Sequence, residues 1–251
     1  MLADFITVNI KWPLVLDKNK ETMIELINLQ KVYGTQVALS IGKLEIAQND
    51  FIGLVGNNGA GKTTMLSLIL DLIKPTKGLV KSKSLNVSES DEWKNYTGSF
   101  LNEGFLIPFL SPIEFFEFIG SLHGKNSADI KDFLEENEQF FKQDAFSGKY
   151  IRELSAGNKN KIGILASFLS KPEILILDEP FSNLDPSSQS WLKSKLKALS
   201  NEGVTILISS HDLKHVTEVC NRILLLEDGH IVKDTNTSNE TLIELEQYFD
   251  I

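Results

Sequence analysis

The chain has 251 residues, enough for one large domain with its own hydrophobic core. Its formal net charge of -9 argues against a nucleic-acid binder, because affinity for phosphate backbones depends on lysine and arginine. The single cysteine, Cys220, excludes an internal disulfide and favours the cytosol, and no apolar run approaches the ~20 residues of a membrane span.

The N-terminal segment, residues 1–22, allows two interpretations. It forms an added edge strand or arm, or it lies upstream of a true start at Met23, where a regular strand pattern begins. Pro13 interrupts its apolar stretch, which disfavours a central strand. We expect a main domain over 23–234 and a C-terminal helix over 235–251.

The strands predicted from Met23 onward are short apolar runs. They lie at 24–29, 38–46, 51–55, 78–82, 97–101, 173–178 and 204–209. The last two runs show no polar alternation, which is typical of parallel strands buried on both faces of a sheet. After them, Asp228-Gly229 predicts a hairpin with a two-residue turn.

Helices are predicted mainly between the fifth and sixth of these strands. The stretch from about 111 to 170 is mostly helical, and Ser111–Glu114 forms a capping box with proline at the first helical position. That helix should stop at Gly124. A second capping box, Thr237–Glu240, is predicted to begin the C-terminal helix.

The strand at 51–55 leads into the most specific motif, a G-x-x-x-x-G-K-T loop before an amphipathic helix. Glycines let the backbone N–H groups form a nest for phosphate, and the helix dipole adds to it. Lys62 can reach the β- and γ-phosphates, and the Thr63 hydroxyl can ligate Mg²⁺. The predicted ATP-binding residues of this loop are Gly56, Asn57, Asn58, Gly59, Ala60, Gly61, Lys62, Thr63 and Thr64.

Two further buried strands end beside residues suited to phosphate chemistry. Asp178 and Glu179 end the strand at 173–178, where the first suits a Mg²⁺ ligand and the second a base that polarises water. His211 follows the strand at 204–209, within reach of a γ-phosphate. His211 and His215 could share a helix face, but no glutamate follows His211, so we expect no metal other than Mg²⁺.

The stretch "ELSAGNKNKIGIL" contains a second possible anion site. A serine and free backbone N–H groups at a helix start bind anions. Ser155 stands at such a start, before an apolar run that faces a core. Ser155 can cap this helix, coordinate an anion, or do both.

Together these residues resemble the ATP-binding cassette family, the ATPase subunits of ABC transporters. The match covers about residues 23–234 and depends on the order and spacing of several motifs. The resemblance implies an α/β fold: a P-loop NTPase core with a mixed sheet, an antiparallel β subdomain and an inserted helical subdomain over about 103–170. It also implies ATP as substrate and Mg²⁺ as cofactor.

The resemblance assigns roles to the residues above. Lys62 looks like the Walker A lysine and Asp178 like the Walker B aspartate. Glu179 matches the catalytic glutamate, and His211 resembles the switch histidine. The implied catalytic residues are therefore Lys62, Glu179 and His211, and the implied Mg²⁺ ligands are Thr63, Asp178 and Asn102.

Other ATP-binding residues follow from the same resemblance. Tyr33 stands where the family places an aromatic that stacks on adenine, and Asp185 ends a stretch that looks like the D-loop. Ser155 and Gly157 lie in "LSAGN", which looks like the signature usually written LSGGQ. In the family two cassettes pair head to tail, and each ATP lies between one Walker A loop and the partner's signature. The second anion site then serves a partner's ATP, and we expect a homodimer or a pair with a similar cassette.

Two departures from the family pattern affect these expectations. Asn102 stands where a glutamine contacts Mg²⁺ and the attacking water, and its side chain is one methylene shorter. Glu103 takes that role if the alignment shifts by one. Ala156 and Asn158 replace a glycine and the glutamine of the signature. We expect ATP sandwiching to survive, because alanine adds only a methyl group and Gly157 is kept.

The expected function is ATP hydrolysis that powers a separate polytopic permease, with the chain at the inner face of the cell membrane. The aromatic-rich stretch 105–120 could line a groove for the membrane subunit. Export is favoured, because "NKNK" and a short C-terminal part look similar to compact bacterial exporters. The alternatives are a soluble ABC ATPase, which the single cassette and acidic charge disfavour, and a cassette that binds ATP without hydrolysing it, which Asn102 keeps open.

Overall fold

A computed structural model describes residues 20–141 and 148–249. Most of the segment 1–22, with both interpretations given to it, lies outside the described residues. The strands are β1 (Thr22–Tyr33), β2 (Gln36–Ala47), β3 (Phe51–Val55), β4 (Lys77–Ser82), β5 (Leu85–Asn86), β6 (Thr97–Phe100), β7 (Ile174–Leu177), β8 (Thr205–Ser210), β9 (Arg222–Glu227) and β10 (His230–Asn236). The helices are α1 (Lys62–Ile69), α2 (Pro112–Leu122), α3 (Ser127–Glu136), α4 (Ala156–Phe168), α5 (Pro186–Asn201), α6 (Leu213–Val219) and α7 (Thr241–Tyr248).

The strands form two sheets. Six of them make a mixed sheet in the order β10-β9-β3-β8-β7-β6, in which only β10 runs antiparallel. The other four make an antiparallel sheet in the order β2-β1-β4-β5. Every residue of β3, β7 and β8 is buried, as expected for apolar strands covered on both faces. An α/β core with a mixed sheet and an antiparallel β subdomain is thus confirmed.

Helices α2, α3 and α4 follow β6 and precede β7. The capping box at the start of α2 is confirmed, because Ser111 and Glu114 exchange side-chain and backbone hydrogen bonds. Gly124 adopts φ +70° just after this helix, the left-handed conformation in which helices often end. Helix α4 packs closely on β6, where a Cβ on Gly163 would lie 2.0 Å from the Phe100 ring. Helix α4, which begins just after Ser155, is thereby held against the core sheet.

The C-terminal elements agree with expectation in one place and differ in another. The hairpin with Asp228-Gly229 at its turn is confirmed. The predicted cap at Thr237–Glu240 is wrong, because α7 begins at Thr241 and Glu240 makes no side-chain capping bond. Thr237 N–H still donates to Asn221 O at 2.9 Å, next to the last pair of β10. The chain is therefore still extended at Thr237, and Ser238 and Thr241 make the local bonds instead.

Helix length and polarity among residues 20–141 and 148–249 bear on any role at a membrane. No helix in these ranges combines the length and the apolar character that a bilayer span requires.

Candidate active site

The site forms at the carboxyl ends of three adjacent parallel strands. β3 lies beside β8, and β8 lies beside β7. Parallel neighbours end at the same edge of a sheet, where open α/β sheets bind their ligands. The segments that begin at Gly56, Asp178 and His211 therefore meet at one edge.

The glycine-rich loop 56–61 is held by backbone from other strands. A Cβ on Gly61, which has φ +108°, would lie 2.7 Å from Ala38 O of β2. A Cβ on Gly56 would lie 2.3 Å from Leu226 O of β9. Ala60 O accepts a hydrogen bond of 2.9 Å from the backbone N–H of Gly229, in the β9–β10 turn. Backbone atoms of β2, β9 and the β9–β10 turn thus fix the conformation of this loop.

Helix α1 begins directly after this loop, so its free N–H groups face the space above it. A cavity of about 220 Å³ lies there, lined by Asn58, Gly59, Gly61, Lys62, Thr63, Thr64, Asp178 and Glu179. Asn57 and Ala60 instead line a neighbouring cavity of about 180 Å³, together with Tyr248 and Phe249 of the C-terminal part. Six of the nine loop residues predicted to bind ATP therefore face one cavity together with both acids.

Lys62 is 7% exposed and supplies the cation of the site. Its Nζ donates to Gly56 O at 2.6 Å and to Asn57 O at 3.3 Å. Glu179 Oε1 lies 3.9 Å from the same nitrogen. A buried ammonium group at a helix start is placed to offset the negative charge of a phosphate chain.

Thr63 and Asp178 lie in direct contact across the cavity. The Thr63 hydroxyl donates to Asp178 Oδ2 at 2.6 Å, and Asp178 is 8% exposed. A hydroxyl and a carboxylate are the hard oxygen ligands that Mg²⁺ prefers. The donor set therefore fits Mg²⁺ beside the glycine-rich loop.

Glu179 and His211 form the outer part of the cluster. Glu179 has φ +47°, an uncommon conformation for a residue other than glycine and one that recurs at functional sites. Its Oε2 lies 2.9 Å from His211 Nδ1. His215, on the following turn, packs on Phe181 with ring centroids 4.6 Å apart, and burial lowers the pKa of its imidazole. The two histidines thus have separate partners, and only His211 contacts the site.

Ser209 belongs to the cluster but was missed by sequence reasoning. It lies in β8 with no exposed surface. Its hydroxyl donates to Asp178 Oδ1 and accepts a hydrogen bond of 2.9 Å from Glu179 N–H. The available signal was the polar pair Ser209-Ser210 at the end of an otherwise apolar strand.

The signature segment lies apart from this cluster. Ser155 is exposed, and its hydroxyl accepts a bond of 3.3 Å from Asn158 N–H, as a cap of α4. Across the described ranges 20–141 and 148–249, no hydrogen bond or ion pair joins Ser155 to the cluster. A Cβ on Gly157 would lie 2.4 Å from Asn183 O, so this glycine is needed for packing within the chain itself.

The segment 182–185 is tied to helix α4 by two side chains. Asn160 Nδ2 donates to Pro180 O at 3.1 Å and to Ser182 O at 2.8 Å. Lys161 Nζ lies 3.4 Å from Asp185 Oδ2. Hydrogen bonds from Ser187 and Ser188, with a smaller contribution from Lys161, lower the pKa of the Asp185 carboxyl well below its usual range. Asp185 thus caps α5 and joins it to α4.

The loop after β6 carries Asn102 and Glu103. Asn102 is exposed, and its Oδ1 accepts a hydrogen bond of 2.9 Å from Gly104 N–H. Glu103 Oε2 lies 3.2 Å from Lys159 Nζ of α4. Both side chains therefore have partners outside the phosphate-loop cluster, which comprises Lys62, Thr63, Asp178, Glu179, Ser209 and His211.

Tyr33 ends β1 at the hairpin that leads into β2. Its side chain is 52% exposed, and Lys31 Nζ lies 4.9 Å from the ring centroid. The same hairpin brings Ala38 against the glycine-rich loop at Gly61. An aromatic face is thus available on the sheet that supports this loop.

Comparison with known proteins places the geometry in context. A family model described as "ABC transporter" matches residues 39–182. The uncharacterized ABC transporter ATP-binding protein YhaQ of Bacillus subtilis is 36% identical over 208 residues, which cover 82% of this chain and 69% of that protein. The bacitracin transport ATP-binding protein BcrA of Enterococcus faecalis is 34% identical over 220 residues, which cover 87% of this chain and 70% of that protein.

Comparison with solved structures also finds ABC transporter cassettes. The chain resembles the dimeric structure of MJ0796, a bacterial ABC transporter cassette, with a TM-score of 0.78 and 26% identity over 86% of this chain and all of that one. Across the first three curated relatives, the chain spans 65% to 70% of the relative's length. Further relatives carry names that include both an export and an import ATP-binding protein.

Proposed function

The chain belongs to the family of ABC transporter ATP-binding proteins, and from this premise we propose that it hydrolyses ATP and powers a separate membrane permease. The observation that carries the proposal is the cluster at one edge of the mixed sheet. There Lys62, Thr63, Asp178, Glu179 and His211 surround one cavity or contact its lining. Groups that would bind phosphate, hold a metal and act as a base thus lie in one place, which supports the proposal.

We assign ATP binding to the glycine-rich loop and to Lys62. The loop N–H groups and the ammonium group would hold the phosphates, and the exposed ring of Tyr33 would stack on adenine. Thr63 and Asp178 would hold Mg²⁺, which when bound offsets charge on the phosphate oxygens. Asn102 was expected to share this role, but its Oδ1 accepts from Gly104 N–H, so the proposal does not depend on it.

We assign the attacking water to Glu179. The carboxylate would accept a proton as the water oxygen attacks the γ-phosphorus and the bond to the β-phosphate oxygen breaks, giving ADP and phosphate. His211 Nδ1, 2.9 Å from Glu179 Oε2, would keep the carboxylate oriented toward the cavity. The left-handed backbone of Glu179 supports this role, because such conformations cluster at active sites.

We propose that the working unit is a head-to-tail dimer of cassettes. Ser155 is exposed at a helix start and has no described bond to its own phosphate-loop cluster. Ser155 and the helix start at Gly157 would therefore contact the γ-phosphate held by a partner, and Asp185 would lie near that interface. The likeness to a dimeric cassette supports this arrangement.

The surface around the loop after β6 supports a permease contact. Five large apolar side chains are exposed on residues 105–122 and at the entry to the signature: Phe105, Phe109, Phe118, Leu122 and Tyr150. Phe109 and Tyr150 lie near each other, because the Arg152 guanidinium is 5.0 Å and 5.1 Å from their ring centroids. Clustered exposed apolar side chains mark interaction sites. We propose that this patch, centred on Phe109 and Tyr150, receives the permease and holds the chain at the inner membrane face.

A substitution in this patch tests the permease contact. Phe109→Asp should reduce co-purification with a polytopic membrane protein from detergent-solubilised membranes of the native cell, while ATP hydrolysis by the isolated chain stays unchanged. Leu72→Asp, at an exposed apolar residue elsewhere, is the matched control. Equal co-purification of both variants with wild type would contradict this site.

The direction of transport is a separate part of the proposal. The sequence favours export, and the matched relatives include names of both directions. ATP-driven accumulation of substrate in inside-out vesicles carrying the whole transporter would support export. Accumulation only in right-side-out vesicles would overturn it.

The decisive experiment for the ATPase proposal replaces the base. Glu179→Gln should abolish phosphate release but still bind ATP. The ATP-bound dimer should then accumulate, which light scattering would detect. Glu138→Gln, at an exposed glutamate of the helical region, should behave as wild type. Hydrolysis by Glu179→Gln at the wild-type rate would remove Glu179 from this role. A wild-type chain that binds but does not hydrolyse ATP would favour the alternative of a non-hydrolysing cassette.

A further inference from the structure

Ser209 lies between the two acids of the site because of the register of the sheet. In the parallel pair β7–β8, Leu177 lies opposite Ile208. The next residues along the two strands, Asp178 and Ser209, therefore lie side by side. Ser209 has no exposed surface, so its hydroxyl must find partners inside the protein.

The Ser209 hydroxyl uses both its hydrogen-bonding capacities within the site. Glu179 N–H can only donate, and it does so to Ser209 Oγ at 2.9 Å. The hydroxyl hydrogen is then free for Asp178 Oδ1, which accepts it. The other carboxylate oxygen of Asp178 accepts from Thr63 at 2.6 Å. One hydroxyl thus fixes a side chain of one acid and the backbone of the next.

We propose that Ser209 is a positioning residue for both the metal ligand Asp178 and the base Glu179. This inference rests on the proposed function and adds to it a residue that would not contact ATP. Without the hydroxyl, Thr63 is the one residue in the described part of the chain that still bonds to the Asp178 carboxylate. The backbone N–H of Glu179, in its left-handed conformation, also loses its acceptor. Both acids then sample orientations in which metal and water are held less well.

The adjacent serine offers a comparison, because its hydroxyl has a different partner. Ser210 is also buried, but its hydroxyl accepts from Asp212 N–H at 3.0 Å. Ser167 of α4 is a further buried serine, and its hydroxyl donates to Ile164 O at 2.6 Å, within its own helix. Ser167→Ala therefore removes a buried hydroxyl and its hydrogen bond without touching either acid, and serves as the matched control.

The experiment compares Ser209→Ala, Ser209→Thr and Ser167→Ala with the wild-type chain. Binding of Mn²⁺, as a substitute for Mg²⁺, to the ADP complex is measured by electron paramagnetic resonance. The rate of phosphate release is measured as a function of Mg²⁺ concentration. Binding of a fluorescent ATP analogue without metal reports on the phosphate loop alone.

Ser209→Ala should weaken Mn²⁺ binding by about 10-fold or more, the usual effect of losing a group that orients a metal ligand. The Mg²⁺ concentration for half-maximal rate should rise and kcat should fall, while metal-free nucleotide binding stays within about 2-fold. Ser209→Thr, which keeps the hydroxyl, should lie closer to wild type than to Ser209→Ala. Ser167→Ala should leave both metal measurements unchanged.

Wild-type Mn²⁺ affinity and Mg²⁺ dependence in Ser209→Ala would overturn the inference, as would an equal loss in Ser167→Ala. These results are distinct from failure of the proposed function. If the wild-type chain does not hydrolyse ATP, the Mn²⁺ measurement still decides whether Ser209 positions Asp178. If the wild-type chain hydrolyses ATP and Ser209→Ala matches it in every measurement, only the inference fails.

Discussion

The chain contains two helix starts that suit an anion, and their surroundings differ. At the start of α1, Lys62 is 7% exposed and lies within 4 Å of carbonyl groups and Glu179. At the start of α4, Ser155 is exposed, and among residues 20–141 and 148–249 its side chain bonds to its own helix. Both sites offer an anion the same local feature, which is a helix N-terminus with free backbone N–H groups. The first also has a buried lysine and two acids around one cavity, whereas Lys159 and Lys161 near the start of α4 pair with Glu103 and Asp185.

This difference agrees with the proposed head-to-tail dimer, in which each chain would supply a phosphate-loop cluster to one site and a helix start to the other. The charged residues proposed for the phosphate-loop cluster all come from one chain. Asn160 and Lys161 fix the position of helix α4 against the segment 180–185. Ser155, at the start of this helix, is nevertheless exposed to solvent. A helix start that is exposed, and whose own lysines already pair with Glu103 and Asp185, is suited to an anion that another molecule brings. The following predictions test that division, from the largest expected effect to the smallest.

Asp178→Asn tests the complete site. Removing the carboxylate charge should lower the rate of phosphate release by about 100-fold or more, the usual effect of losing a preorganised electrostatic group. Binding of a fluorescent ATP analogue without metal should change little, because the loop and Lys62 remain. Asp132→Asn, at an exposed carboxylate of α3, is the control with the same chemical change. A variant that retains more than half of the wild-type rate would contradict the assignment of Asp178.

Ser155→Arg tests the incomplete site. A guanidinium in the interface should weaken the ATP-bound dimer by about 3 kcal/mol or more, because a buried charge without a partner is costly. Light scattering in the Glu179→Gln background would measure this loss, while ATP binding by the monomer stays intact. Ser127→Arg, at the exposed first residue of α3, is the matched control. Loss of ATP binding by the monomer would show that Ser155 acts within its own chain.

Gly157→Ala separates packing from ATP contact in the signature. The new methyl group would lie 2.4 Å from Asn183 O, so the chain must shift at a cost of about 1–3 kcal/mol in the free energy of unfolding. Ala156→Ser, at the exposed neighbouring position, should cost much less. Urea unfolding of the isolated monomer measures both. If Gly157→Ala weakens only the dimer and leaves monomer stability unchanged, the close contact with Asn183 has no energetic importance.

The fold could be predicted where a pattern acts locally. The buried strands β7 and β8 are evident because three or four apolar residues in a row need cover on both faces. The cap at Thr237–Glu240 was wrong because it depended on a neighbour distant in sequence. Asn221 O accepts from Thr237 N–H and keeps that residue extended. Local capping propensity could not reveal this pairing.

The site shows the same limit. Lys62, Asp178 and His211 each follow or end a buried strand, so their convergence at one edge could be predicted from strand order. Ser209 could not, because its role depends on which residues of β7 and β8 lie opposite each other. The need for glycine at 157 likewise comes from Asn183, a residue on a separate loop. The polar pair Ser209-Ser210 could mark the end of the strand, but a local pattern does not reveal pairs that are set by register or loop packing.

Asp185, which joins α5 to the signature helix, is the source of the smallest expected effect. Hydrogen bonds from Ser187 and Ser188 lower the pKa of its carboxyl in the folded chain. A lowered folded-state pKa stabilises the protein above the unfolded-state value of about 3.9, and this contribution is lost as the pH falls below that value. Asp185→Asn keeps an acceptor for Ser188 N–H but has no charge.

The wild-type chain should therefore be slightly more stable than Asp185→Asn near neutral pH, and the difference should shrink below about pH 4. The effect is small because the carboxylate is exposed to solvent, which screens its interactions. Urea unfolding at several pH values measures the difference, with Asp132→Asn as the control. A difference that grows on acidification would mean that the charge opposes the fold. The hydrogen bonds from Asn160 to Pro180 O and Ser182 O would then hold the segment before α5 on α4 without help from the ion pair of Lys161 with Asp185.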